Sequence, residues 1–111
     1  MHIHPQLNVM VNGIAVTVPE KIGIDKTLWK DHSLDKYGMQ GMSPLHTHDS
    51  LGTIHVESSA NRDYTLGEFL DVWGRLDING KTVKATVNDQ PISDWRNHIL
   101  KDNEQISLEI S

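Results

Sequence analysis

The chain has 111 residues, a size that fits one domain able to bury about two-thirds of its unfolded surface, so a core is possible without staples. It has no cysteine, which excludes disulfides, zinc–thiolate and iron–sulfur sites, thiol catalysis and blue copper. The net charge of −5 argues against a nucleic-acid partner, and no apolar run approaches the roughly 18 residues of a membrane span. Seven histidines stand out, five of them at positions 2, 4, 46, 48 and 55. No n-region or h-region surrounds the first residues, which leaves a cytosolic chain or one whose natural start lies upstream.

Residues 7–18 read as a β-hairpin. Leu7, Val9 and Val11 alternate with Asn8, Met10 and Asn12, Asn12-Gly13 supplies the turn, and Ile14, Val16 and Val18 form the apolar side of the return strand. If the first strand runs back through Pro5, then His2, His4, Gln6 and Asn8 share its non-core face, and Pro5 restricts that stretch to an edge. Residues 19–44 keep no period. Gly23, Gly38, Gly41 and Pro44 punctuate them, and Leu28, Trp29 and Leu34 offer anchors for a short helical turn. A connection this long is usually functional or mobile. Residues 45–57 read as a second hairpin with Asp49–Gly52 as a four-residue loop. That register sets His48 opposite Thr53, Thr47 opposite Ile54 and His46 opposite His55. Ile54 and Val56 then face the core, and His46, His48, His55 and Glu57 the other side.

Thr65 and Glu68 form a capping box ahead of Leu66, Phe69, Leu70 and Trp73, an apolar stripe at helical spacing, with Gly74 placed to end the helix. Asn79-Gly80 is a turn, Thr82–Val87 a strand and Asn88–Pro91 another turn. Ser93 is expected to cap a short helix through Leu100. After a turn at 101–103, a last strand points Ile106, Leu108 and Ile110 inward.

This order resembles the β-grasp, the ubiquitin-like arrangement. The stretch from Ala85 to Ile110 is similar to the end of the sulfur-carrier members, but those finish in Gly-Gly, and here Glu109-Ile110-Ser111 stands instead, so the resemblance does not extend to carrier function. The expected fold is α+β: a β-grasp-like mixed sheet with one main helix, residues 1–111 forming a single domain, and 19–57 a long insertion that carries the histidine hairpin.

His-x-His on a strand sets two imidazoles on one face about 7 Å apart. Opposed positions on an antiparallel neighbour lie about 4.5–5.5 Å apart. His46, His48 and His55 can therefore converge on one ion, and His2 and His4 repeat the spacing and are expected to complete its shell. Asp49 and Glu57 are candidate ligands or acceptors that fix the imidazole tautomers. Imidazole suits several transition metals and copper(II) binds most tightly, so copper(II) is expected first and zinc(II) second. Met39, Met42 and Met10 could offer thioethers to copper(I), although methionine more often fills core gaps. Trp29, Trp73 and Trp95 read as core anchors, His32 and His98 as surface residues. Asp71, Asp77, Asp89, Asp94, Asp102 and Glu104 read as solvated carboxylates.

His46, His48 and His55 together resemble the zinc site of the alpha carbonic anhydrases, in a chain less than half that family's length. The resemblance implies a metal-bound hydroxide, and hydration or hydrolysis, as the alternative to metal binding, delivery or buffering. A cupin would need Glu where Leu51 and Gly52 stand. Four motifs carry a further resemblance: His-Ile-His-Pro-Gln-Leu from His2, Pro-Leu-His-Thr-His-Asp from Pro44, Gly-Thr-Ile-His-Val-Glu-Ser from Gly52, and Tyr-Thr-Leu-Gly-Glu-Phe-Leu-Asp-Val-Trp-Gly from Tyr64. They resemble uncharacterised small extracytoplasmic His-rich domains of archaea and bacteria, usually found behind one N-terminal membrane anchor. That resemblance implies an extracytoplasmic location and an anchor upstream of these residues, and no established activity. An interaction module with incidental histidines is the third reading.

Overall fold

The computed structural model describes every residue from Met1 to Ser111. The Asn12-Gly13 hairpin forms as its turn chemistry dictates. Both residues take left-handed φ values, 51° and 79°, the conformation that matches the twist of the flanking strands. The hairpin joins β2 (Gln6–Val11) to β3 (Ile14–Val16), with Val11 opposite Ile14. β8 (Gln105–Ile110) lies parallel beside β2, pairing Leu7 with Ile106 and Val9 with Leu108. β6 (Val83–Val87) runs antiparallel to β8, and β7 (Gln90–Ile92) closes the far edge, so the order is β3-β2-β8-β6-β7. Alternation buries Leu7, Val9, Ala85, Ile106, Leu108 and Ile110 on one face and leaves Asn8, Met10, Lys84 and Glu109 on the other.

The one α-helix, α1 (Leu66–Trp73), covers the apolar face. Thr65 Oγ1 accepts from the Glu68 amide at 3.2 Å, and Glu68 Oε1 accepts from the Thr65 amide at 2.9 Å, which is the expected capping box. Gly74, at φ 66°, ends the helix in the left-handed region. Leu66, Phe69, Leu70, Val72 and Trp73 are buried beneath it.

A second, three-stranded sheet has the order β1-β5-β4, with β1 (His2–Ile3), β5 (His55–Glu57) and β4 (Leu45–His46) all antiparallel. Leu45 and Val56 point into the core, and Ile3 packs against it. One cluster of 19 buried apolar side chains joins both sheets and the helix. The fold is α+β, with two sheets, the larger of them mixed, and one helix.

Several expectations change. His2 and His4 do not prolong β2. The chain turns at Pro5, whose carbonyl accepts from the Ile54 amide at 2.8 Å, and the Leu7 amide donates to Gly52 O, so residues 2–3 join the other sheet. The second hairpin keeps His46 opposite His55 but opens beyond them. Thr47 is buried and needs partners for three polar groups, and residues 19–22 supply them. Its amide donates to Ile22 O at 3.1 Å, its carbonyl accepts from Lys21, and its hydroxyl donates to Pro19 O at 2.7 Å. The 19–44 stretch is thereby anchored, with Ile22 and Leu34 in the core and 3₁₀ turns at Lys26–Leu28 and Asp35–Tyr37. Ile14 is 71% exposed: it stands at the turn end of edge strand β3, and that strand stops at Val16. The third turn is only Asn88-Asp89, both left-handed, and Pro91 sits in edge strand β7, where a missing amide costs nothing. Ser93 caps no helix. A single 3₁₀ turn, Trp95–Asn97, stands there. Trp73 is buried, whereas Trp29 and Trp95 are only half-buried.

Candidate metal centre

The outer face of the small sheet collects five imidazoles because its inner face is apolar. Leu45, Val56 and Ile3 turn inward, so their neighbours His46, His55 and Glu57 turn outward, with His2 paired to Glu57 across the strands. His4 follows β1 and His48 follows β4, and both rings close on this patch. Ring centroids lie 4.7 Å apart for His4 and His55, 4.5 Å for His48 and His55, 4.8 Å for His46 and His48, and 4.6 Å for His2 and His4.

Glu57 is the centre of the patch. Its Oε1 lies 3.3 Å from His46 Nε2, 3.5 Å from His2 Nε2, 3.9 Å from His55 Nδ1 and 4.0 Å from His48 Nε2. His46 is 1% exposed, and its Nδ1 donates to the Ser43 carbonyl at 2.7 Å. A carbonyl only accepts, so this bond places the ring proton on Nδ1 and leaves Nε2 as a bare lone pair. That lone pair faces a carboxylate oxygen. Two acceptors at 3.3 Å call for a cation or a proton between them. Burial disfavours the proton on His46 and outweighs the opposite pull of Ser43 and Glu57. Burial, reinforced by His48, His4 and His46, lowers His55 to about 4. Burial pushes Glu57 upward, but the imidazoles around it, His46 first, hold it below the ordinary carboxylate value. Near neutral pH His46 and His55 are neutral and Glu57 is charged, the states a divalent cation requires.

The ligand atoms fall into two sets. His2, His4 and His55 form one and His46, His48 and Glu57 the other, each with its three ligand atoms within 4.8 Å of one another. All five expected histidines thus lie on one patch, but His46, His48 and His55 do not form a set by themselves. Asp49 lies apart, its carboxylate accepting from the Leu51 amide at 3.0 Å to hold the loop. Met39 and Met42 flank a tight turn made by Gln40 and Gly41, both at positive φ. With Gln40, His46 and Glu57 they line a cavity of about 80 Å³. Met10 is on the outer face of the larger sheet, away from the histidines.

Two partners have no signal in the sequence: the Ser43 carbonyl and Asp102, whose Oδ1 accepts from the His4 amide at 2.8 Å. Two readings are corrected. His98 is not a surface residue, and Glu104, 4% exposed, is not solvated: His98 Nε2 lies 2.7 Å from Glu104 Oε1, and the same carboxylate accepts from the Lys101 amide. His32 is exposed as expected, stacked on Trp29 and bonded to Asp35 at 2.9 Å. Compared with protein-family models, curated proteins and solved structures, the chain gives no significant match. No helix is long and apolar enough to cross a membrane.

Proposed function

We propose that this chain is a metal-binding domain that holds a divalent ion, copper(II) in preference to zinc(II), through His2, His4, His46, His48 and His55, for binding, delivery or buffering. The observation that carries the reading is the placement of one carboxylate oxygen of Glu57 within 4.0 Å of nitrogens from four imidazoles. Imidazole nitrogens favour copper over zinc in the affinity order of divalent metals. The larger sheet supports a β-grasp assignment: β2 and β8 are parallel and central, and the order is β3-β2-β8-β6-β7, with 19–57 as the insertion. The motifs around His2, His46, His55 and Thr65 support membership of the extracytoplasmic His-rich domains, and with it an extracytoplasmic location and a membrane anchor upstream. The partner is then the metal ion and not nucleic acid, in keeping with the net charge of −5.

The test is metal analysis of protein purified without a metal-affinity tag, followed by calorimetric titration with copper(II) and zinc(II). Stoichiometric uptake with copper tighter is expected, and a decrease in that uptake in the His46→Ala, His48→Ala double variant. No stoichiometric uptake of either metal would sink the proposal. One observation favours a second reading, hydration or hydrolysis by a zinc-bound hydroxide. His46, His48 and Glu57 supply three protein ligands beside a small cavity, and a catalytic zinc site keeps its fourth position open.

A further inference from the structure

We infer that the histidine face is a two-ion centre, one ion held by His2, His4 and His55 and the other by His46 and His48, with Glu57 bridging them. The inference rests on the metal-binding reading above and sharpens it. Ring orientation carries the first step. An imidazole ligates through a lone pair that lies in its ring plane. His46 and His55 lie in ring planes only 2° from parallel, with centroids 5.7 Å apart, and their ligand atoms fall into different sets. The rings within each set have intersecting planes, 74° between His46 and His48, 53° between His2 and His4, and 89° between His4 and His55, and His48 crosses His55 at 75° where the two sets meet.

Ligand number and distance carry the second step. Five imidazoles and a carboxylate exceed the four donors of a tetrahedral ion, and they are already sorted into two threes. Metal–ligand bonds of about 2.0–2.1 Å put ligand atoms about 3.4 Å apart around a tetrahedral centre. Glu57 Oε1 meets that spacing towards both sets, at 3.5 Å from His2 Nε2 and 3.3 Å from His46 Nε2. Its next neighbours, His55 and His48, again come one from each set. A carboxylate so placed suits the short separation of two-metal sites, about 3.5–4 Å, and its charge offsets the repulsion between the cations. Asp102, 3.9 Å from His4 Nδ1, adds a second negative charge on the first ion's side. The first ion then has three imidazoles and the bridge, a closed shell. The second has two imidazoles and the bridge, with the cavity beside Met39 and Met42 at its open side.

The metal-free 111-residue chain titrated with zinc(II) and followed by native mass spectrometry and calorimetry should bind two equivalents. His4→Ala and His48→Ala alter half-exposed side chains, one in each set, and each should retain one equivalent with an unchanged far-ultraviolet circular dichroism spectrum. Loaded with two equivalents of copper(II), the wild type should show the half-field electron paramagnetic resonance transition of a coupled pair, and Glu57→Gln should lose it. One equivalent in the wild type would overturn the two-ion centre and leave single-ion binding standing, whereas none would overturn both. Loss of all binding in either single variant, or a coupled pair surviving in Glu57→Gln, would likewise overturn the proposal.

Discussion

At the scale of single residues, two histidines with similar sequence surroundings do opposite work. His98 donates through Nε2 to a carboxylate that is almost fully buried, while His32 makes its contact with Asp35 in solvent. Leaving a buried polar group short of a partner costs about 1–3 kcal/mol, and an exposed pair contributes about 0–1 kcal/mol. His98→Ala should therefore lower unfolding stability in urea by about 1–3 kcal/mol. His32→Ala should lower it by under about 1 kcal/mol. Neither should change the number of metal equivalents bound. A stability loss confined to His32→Ala, or lost metal in His98→Ala, would contradict this division. Glu104 shows why the pair escapes a reading of the sequence: its carboxylate sits in an acidic turn, where solvation is the usual fate, and only the fold of the 98–104 loop closes His98 over it. His46 is the reverse case. Its strand parity with Val56 and His55 is a local pattern, so its face was legible, whereas its Ser43 partner is a backbone carbonyl that no residue type announces.

At the scale of elements, β4 is held by a glycine. Gly23 adopts φ 71° in the segment that pairs with Ser43 and Thr47, and a Cβ there would lie 2.4 Å from the Leu45 carbonyl. Gly23→Ala should cost more than about 1 kcal/mol, because the strain is unrelieved by any flexible side chain, and it should weaken metal binding by displacing His46. Thr65→Ala gives the contrast: loss of the cap should cost about 1 kcal/mol with metal affinity unchanged. Thermal melts and metal titrations of both variants check the pair, and a Gly23→Ala protein as stable as wild type would refute the packing account. The elements that were legible, the Asn12-Gly13 hairpin and the Thr65–Glu68 cap, are closed by bonds between near neighbours. The three-stranded sheet was not, because β1 reaches β5 across more than fifty residues and Thr47 turns to residues 19–22 instead of across its own hairpin. Removing β1 isolates its part. Deletion of residues 1–4 spares Pro5, which the Ile54 amide needs, but takes away His2 and His4. Metal affinity should fall tenfold or more, about 1.4 kcal/mol, and an unchanged affinity would remove the terminal pair from the site.

For the whole molecule, the histidine face couples folding to pH. His46 and His55 accept protons less readily in the folded chain than in the unfolded one, where an imidazole titrates near 6.5. The unfolded state therefore binds more protons as acid is added, and the stabilisation that these two groups give is complete above about pH 6.5. It is lost as pH falls from 6.5 towards the His55 value of about 4. Glu57, held below its ordinary value, adds a loss of the same sign at lower pH. A bound metal adds stability in proportion to the logarithm of its concentration over Kd, about 2.7 kcal/mol at a hundredfold excess. Because ligating imidazoles must be neutral, that increment fades in the same direction. Melting temperatures measured from pH 8 to pH 4, with and without zinc(II), should fall on acidification in both series, and the gap between them should close below about pH 5. A gap undiminished at pH 4.5 would mean that carboxylates, not imidazoles, hold the metal. Metal-free protein that gained stability between pH 6.5 and 4 would mean that these imidazoles are not buried against charge as the fold places them.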